Sequence, residues 1–263
     1  MEDFRWLAND VASRPTRIAE LVPSNPVLLG ACDAAGPGMG GIAFIPAEDS
    51  SLTPILWRKP FPTSVQSKLV SFTNRTGTIN NSDLKLCGNI AHHDVVAQFA
   101  DILERTISTL SDNIANMYWL RKGSTTTTGP AAYLLRLQAH HQRFHRYLSL
   151  HDYIPGPAND MADICSRAWH LTDSQLLAYF DLHFPQKKRW RLCHLSNQMN
   201  TALTSALFNN PSKMELVRRM PSQRMCIGEF GIPIAPSLDS TLSSKPITIL
   251  SPTLQSSHRD INP

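Results

Sequence analysis

Residues Val27–Phe44 read VLLGACDAAGPGMGGIAF. Val27–Cys32 is a short apolar run of the kind that forms a buried strand. It stops at Asp33, where DAAGPGMGG brings in the Gly and Pro that mark a turn. Gly41–Ile45 is apolar again, so the two runs are expected to pair as a hairpin. Ile55–Trp57 and Leu69–Phe72 are further strand candidates.

Downstream, the pattern changes from consecutive strands to alternation with helices. Asn81–Ser82–Asp83 offers capping side chains for a helix running to about Glu104. Leu84, Cys87, Ile90, Ala91, Val95, Gln98 and Phe99 follow one side of it. Thr106–Leu110 is β-branched and short, a strand ending at Ser111–Asp112. Ile114–Leu120 reads as a short helix, Gly123–Gly129 as a loop, and Pro130–Phe144 as a helix with proline at its tolerated first position. Arg146–Ile154 reads as a strand, and Asp160–Trp169, Thr172–Phe180 and Asn197–Phe208 as helices. This order predicts a mixed α/β sheet covered by helices. Before it, Asp3–Leu21 reads as one amphipathic helix with a break at Pro15. After it, the Ser-, Pro- and Thr-rich stretch from Gly231 has no apolar period and is expected to be disordered.

Composition bounds the reading. The chain has 263 residues, 42% of them hydrophobic, which excludes wholesale disorder. No run nears the roughly 18 apolar residues of a membrane span. MEDFRWLAND is too polar for a signal peptide. The five cysteines form no CxxC pair, which argues for a reducing compartment. These features predict an intracellular protein of cytoplasm or nucleus, neither secreted nor membrane-bound. The net charge of +4 is unevenly spread: Ala168–Cys226 holds eight basic residues against three acidic, a net +5. Its densest point is Lys187-Lys188-Arg189-Trp190-Arg191. Cations around an aromatic can bind phosphates and stack on bases, while a solvated loop beside one buried Trp explains the same pattern. Arg136, His140 and Arg143 form a second, smaller basic stripe on Pro130–Phe144.

Carboxylates mark the ends of the predicted elements. Asp33 closes the first strand, Asp112 closes Thr106–Leu110, and Asp163 lies in the helix after the last strand. Carboxyls at the C-terminal ends of neighbouring strands converge on one patch. Converging Asp residues repel unless hard cations neutralise them, and two Mg²⁺ ions about 3.5–4 Å apart suit phosphodiester hydrolysis. Any one of these residues is accounted for equally by turn or helix capping; the set carries the case.

Taken in order, ACDAAGPGMGGIAF, TINNSDLKLCG, STLSDNIAN and YIPGPANDMADICSR resemble the RNase H domain of retrotransposon reverse transcriptases. The Ser-Asp-Asn form of the third motif is most similar to DIRS-type elements, which pair this domain with a tyrosine recombinase. The resemblance covers about Val27–Arg167. It implies an RNase H-like fold, a five-stranded mixed sheet flanked by helices, followed here by extra C-terminal helices and a disordered tail. It divides the chain into an N-terminal connection helix (1–26), an RNase H-like domain (27–168), a basic helical extension (169–230) and the tail (231–263). It also implies two Mg²⁺ or Mn²⁺ ions, held by Asp, Glu, Asp and Asp, that cleave RNA in an RNA–DNA hybrid. Asp33, Asp112 and Asp163 match the first, third and fourth positions as catalytic and metal-ligating residues. At the second, Lys85 stands where Glu is expected.

This departure reverses a charge inside the implied metal site, which is worth several kcal/mol at short range. Asp83 lies two residues earlier, about 200° around a helix, and substitutes only if it sits in a flexible cap. Alternatively, Lys85 takes over part of a metal ion's electrostatic role, and the site folds without catalysing. Three readings follow: a nucleic-acid-binding domain with impaired catalysis, in which Lys187–Arg191, Arg136 and Arg143 meet the nucleic acid; an active hybrid ribonuclease rescued by Asp83; and a retroelement remnant with no activity.

Overall fold

The computed structural model describes residues 15–209 except Thr127, together with Arg5, Ala8, Asn9, Ala12 and Ser13. The expected tail over 231–263, most of the N-terminal helix and the basic residues from Lys213 onward lie outside the described residues. Of the expected Asp3–Leu21 helix, Pro15–Arg17 is not helical and Ile18–Glu20 is a single 3-10 turn. The proline interrupts the pattern because it fixes its own φ and restricts the residue before it.

Six strands form one sheet: β1 (Leu28–Ala35), β2 (Gly38–Pro46), β3 (Leu52–Pro60), β4 (Thr106–Ser111), β5 (Leu148–Tyr153) and β6 (Arg191–Cys193), in the order β5-β4-β1-β2-β3-β6. The first three run antiparallel as a meander, with Asp33 opposite Gly40 and Gly41 opposite Trp57. β4 is parallel to β1, and β5 is parallel to β4. β6 is parallel to β3. The sheet therefore has one strand more than the expected five, and the extra strand comes from the C-terminal extension. Its three residues are too few to give a strand period in the sequence.

Two other expectations are corrected. Asp33 lies inside β1 rather than at its end. Leu69–Phe72 is no strand; it makes a single bridge, Leu69 to Ile79. The chain there folds back at Asn74, whose Nδ2 donates to the carbonyls of Ser67 and Leu69.

The helices are α1 (Thr63–Gln66), α2 (Asn81–Phe99), α3 (Ile114–Lys122), α4 (Pro130–His145), α5 (Asp160–Arg167), α6 (Asp173–His183) and α7 (Asn197–Leu207). Strand alternation sends neighbouring residues into two different cores. Cys32, Ala43, Ile55 and Trp57 face one core with Leu84, Ile90, Leu134 and Leu203 from α2, α4 and α7. Ala31, Ile42 and Leu56 face the other with Ala162, Cys165, Leu176 and Phe180 from α5 and α6. Burial on both faces explains why β1–β3 read as nearly continuous apolar runs.

α2 is enclosed rather than amphipathic: Asp83 through Val96 are all buried. Several of its polar side chains have specific partners, whereas the Asn89 amide has none within hydrogen-bond distance among the described residues. Trp57 Nε1 donates to His92 Nδ1 at 3.1 Å, and Asp94 accepts from the backbone N–H and hydroxyl of Ser196, which caps α7. The extension is tied down by Arg58 on β3. Its guanidinium stacks on Trp169 and donates to Asp173 Oδ1 (2.6 Å) and to the carbonyls of Ala168 and Leu171. Among the described residues, no helix is long and apolar enough to cross a membrane.

Candidate functional site

α2 brings Lys85 to the sheet. The helix starts at the N-cap Asn80, whose Oδ1 accepts from the Asp83 backbone N–H, while Asp83 Oδ2 accepts from the Asn80 N–H, both at 2.9 Å. This reciprocal capping box satisfies two otherwise orphaned donors. It also commits Asp83. That carboxyl is buried, and burial raises its pKa against hydrogen bonds from the Asn80 and Ala131 N–H groups. Two residues on, Lys85 points the other way, into the sheet.

There Lys85 Nζ donates to Asp33 Oδ1 at 2.6 Å and makes a second charged hydrogen bond to Asp112 Oδ1. Asp33 comes from β1, and Asp112 immediately follows β4, the parallel neighbour of β1. The side chains of Lys85 and Asp33 are 7% and 1% exposed, and that of Asp112 is 22% exposed, so the triad opens to solvent on the Asp112 side. Burial acts against the ammonium charge, but the hydrogen bonds to Asp112 and Asp33 outweigh it and hold the Lys85 pKa above the usual lysine value. The second oxygen of Asp33 accepts from Ser166 Oγ at 2.7 Å, and Asn159 Nδ2 donates to the Cys32 carbonyl at 3.3 Å. Both ties run to the start and end of α5.

Asp163 lies in the first turn of α5, as expected, half exposed and paired with Arg167 at 2.5 Å. The Arg167 pKa is raised: its partial burial is outweighed by the hydrogen bond to Asp163 and by the fields of Asp163, Asp33 and Asp112. Arg167 is the site residue that sequence reasoning missed. It sits four positions after Asp163, the spacing that makes helical neighbours, and that spacing was the available signal.

The three carboxylates are therefore met by two cations, Lys85 and Arg167. The residues present do not fit a pair of divalent ions. The Lys85 ammonium takes one oxygen of Asp33 and one of Asp112, and Lys85 and Arg167 together offset two of the three carboxylate charges. Among the described residues no group of three His, Cys, Asp or Glu side chains is arranged to hold a metal ion.

The basic residues are divided. Trp190 cannot stack on a base: it is buried, donates through Nε1 to the Phe184 carbonyl at 2.8 Å, and packs edge-on against Phe180 and Phe44. Lys188 reaches Asp49 at 3.2 Å, while Lys187, Arg189 and Arg191 are exposed. Arg143 is likewise committed, pairing with Glu20 and donating to Thr16 Oγ1, so it docks the segment before β1. Arg136 is exposed on α4. His141 is buried against Tyr147, 2.8 Å from its hydroxyl.

An antiparallel β1–β3 meander, β4 and β5 added in parallel beside β1, and acidic residues of β1 and the β4 end meeting one side chain of the first long helix decide the architecture. This is a mixed α/β sheet flanked by helices, the arrangement expected of an RNase H-like fold. No family model matches the chain, and no curated protein is a significant match. Among solved structures, the chain is similar to RNase H1 from the halophilic archaeon Halobacterium salinarum, at 14% identity and a TM-score of 0.37, over 53% of this chain and 93% of that one. It is also similar to LC11-RNase H1, isolated from compost by a metagenomic approach, at 12% identity and a TM-score of 0.38, over 55% of this chain and 95% of that one.

Proposed function

We propose that the chain is a retroelement-derived RNase H-like domain that binds an RNA–DNA hybrid or a related nucleic acid without hydrolysing it. One observation carries the reading: Lys85 Nζ bridges Asp33 and Asp112. The ammonium is a tethered counter-ion. It offsets the repulsion between the two carboxylates, keeps the carboxyl ends of β1 and β4 together, and cancels half of the charge with which Asp33 and Asp112 would capture a divalent cation. The oxygens of Asp33 accept from Lys85 and Ser166 and one oxygen of Asp112 accepts from Lys85, which weakens these carboxylates as metal ligands and as bases toward water. The active-enzyme alternative needs Asp83 to leave its capping box and turn to the opposite side of α2, and no feature of the site favours that.

The test is cleavage of a labelled RNA–DNA hybrid by the purified chain in Mg²⁺ or Mn²⁺, beside binding measured over a salt series. The expected result is binding whose affinity falls with salt, because binding releases counterions from the phosphates, and no cleavage above background. Lys85→Glu restores the four-carboxylate pattern and is expected to raise Mn²⁺-dependent cleavage above that of the unmodified chain. Robust metal-dependent cleavage by the unmodified chain would sink the proposal.

A further inference from the structure

The loop between β3 and α2 presents a side chain that the fold does not use. Val70 N donates to the Ile79 carbonyl at 2.8 Å, Thr78 N to the Lys68 carbonyl at 2.9 Å, and Asn74 binds the backbone of Ser67 and Leu69. The loop is thus internally braced. At its tip Phe72 is 87% exposed, with the Arg75 guanidinium 5.4 Å from its ring centroid. Between Asp49 and Asp83 the chain carries no acidic residue, while Arg58, Lys59, Lys68 and Arg75 are basic. Leu69 packs by the β1–β2 turn, 3.4 Å from the position of a Cβ on Gly36, three residues beyond Asp33. The tip therefore belongs to the same end of the sheet as the Lys85–Asp33–Asp112 triad.

We infer that Phe72 and Arg75 form a base-stacking tip that takes an unpaired nucleobase and its adjoining phosphate, at the edge of a bound duplex. The inference rests on the nucleic-acid reading above. A braced loop holds the phenyl ring in place before binding, so little ordering is needed when a base stacks on it. Stacking on an aromatic is sequence-tolerant because every base has a π-face. Arg75 adds a cation suited to the phosphate.

The experiment measures fluorescence anisotropy with a blunt RNA–DNA hybrid and the same hybrid carrying a short single-stranded overhang, on the DNA or the RNA strand in separate probes. The unmodified chain is expected to prefer an overhang by about fivefold or more. Phe72→Ala is expected to abolish that preference while leaving blunt-hybrid affinity unchanged, and Phe72→Trp to retain it. Arg75→Ala is expected to lower the salt slope on the overhang probe by about one. A preference that survives Phe72→Ala overturns this site and leaves the nucleic-acid reading standing. A chain that binds neither probe overturns both. Loss of self-association in Phe72→Ala, by sedimentation, with nucleic-acid affinity unchanged, overturns the site in favour of a contact between copies.

Discussion

Removing the Lys85 ammonium leaves the Asp33 and Asp112 carboxylates facing each other, one of them buried. Breaking a buried ion pair from one side typically costs about 3–5 kcal/mol, because an uncompensated charge remains. Lys85→Gln is expected near the lower end, about 3 kcal/mol, since Asp112 is partly solvated; urea unfolding measures it. Pairing Lys85→Gln with Asp33→Asn should cost less than the sum of the two single changes, because the second removes the charge that the first strands. The same variant carries a metal test that needs no catalysis. Mn²⁺ should raise the melting temperature of Lys85→Gln and leave that of the unmodified chain unmoved, and equal shifts in both would refute the tethered counter-ion. The pH sign is also set. The folded Lys85 pKa is raised above the ordinary lysine value of 10.5, so its stabilisation is fully present below about pH 10.5 and is lost as pH rises through the higher folded value.

At the scale of elements, the packing of α5 on the sheet depends on β2 having no side chain at one point. A Cβ on Gly40 would lie 2.6 Å from the Cβ of Cys165 and 2.7 Å from its backbone carbon. Gly40→Ala must push α5 away from β1 and β2, and with it Ser166, which binds Asp33. About 2 kcal/mol of destabilisation is expected, in the range for overpacking a close contact, measured by urea unfolding. Asn80→Ala, which removes the N-cap of α2, should cost about 1 kcal/mol. These glycines also show where the sequence was legible and where it was not. DAAGPGMGG correctly marked a hairpin, yet only Gly36–Pro37 form its turn. Gly38, Gly40 and Gly41 lie in β2, where Trp169, Cys165 and Trp57 close in on them. Composition cannot separate a glycine that turns from one that admits a neighbour, because the neighbour comes from distant sequence. The start of α2 was legible to within a residue or two: the sequence offered Asn81–Ser82–Asp83 as capping types, whereas the hydrogen bonds make Asn80, one residue earlier, the N-cap. For Trp190 the sequence left two readings, a stacking platform and a buried Trp beside a solvated basic loop, and the aromatic core around Phe180 and Phe44 takes the ring inward, as in the second. Asp33, Asp112 and Lys85 were found by matching a pattern; that Lys85 would bridge the two carboxylates follows from α2 crossing the sheet between them, which the pattern alone did not show.

Across the whole molecule, packing around α2, α4 and β5 takes four histidines out of water and half-buries a fifth, His145, and this sets how stability depends on pH. Burial lowers the pKa of His92 to about 3 and those of His93 and His145 to about 4, and holds His141 and His151 well below the usual value of 6.5. Each is therefore neutral in the folded chain at pH values where the unfolded chain begins to protonate. Below about pH 6.5 the unfolded state binds more protons, so stability falls as pH falls, and continues to fall until the folded values near pH 3–4 are reached. Asp94 opposes this. Burial raises its carboxyl pKa to about 6, above the ordinary 3.8, so between those values the folded state binds the extra proton and gains stability on acidification. Asp83, whose carboxyl pKa burial also raises, acts in the same direction as Asp94, and two carboxyls against five imidazoles leave the histidines dominant. Urea unfolding across pH 4–8 is expected to give a plateau at pH 7 and above and a steady decline below about pH 6.5. Asp94→Asn removes the opposing proton uptake, so the decline between pH 6 and 4 should steepen. A stability profile flat from pH 7 to pH 5, or one unchanged in slope by Asp94→Asn, would show that these side chains meet water in the folded chain and that α2 is not enclosed.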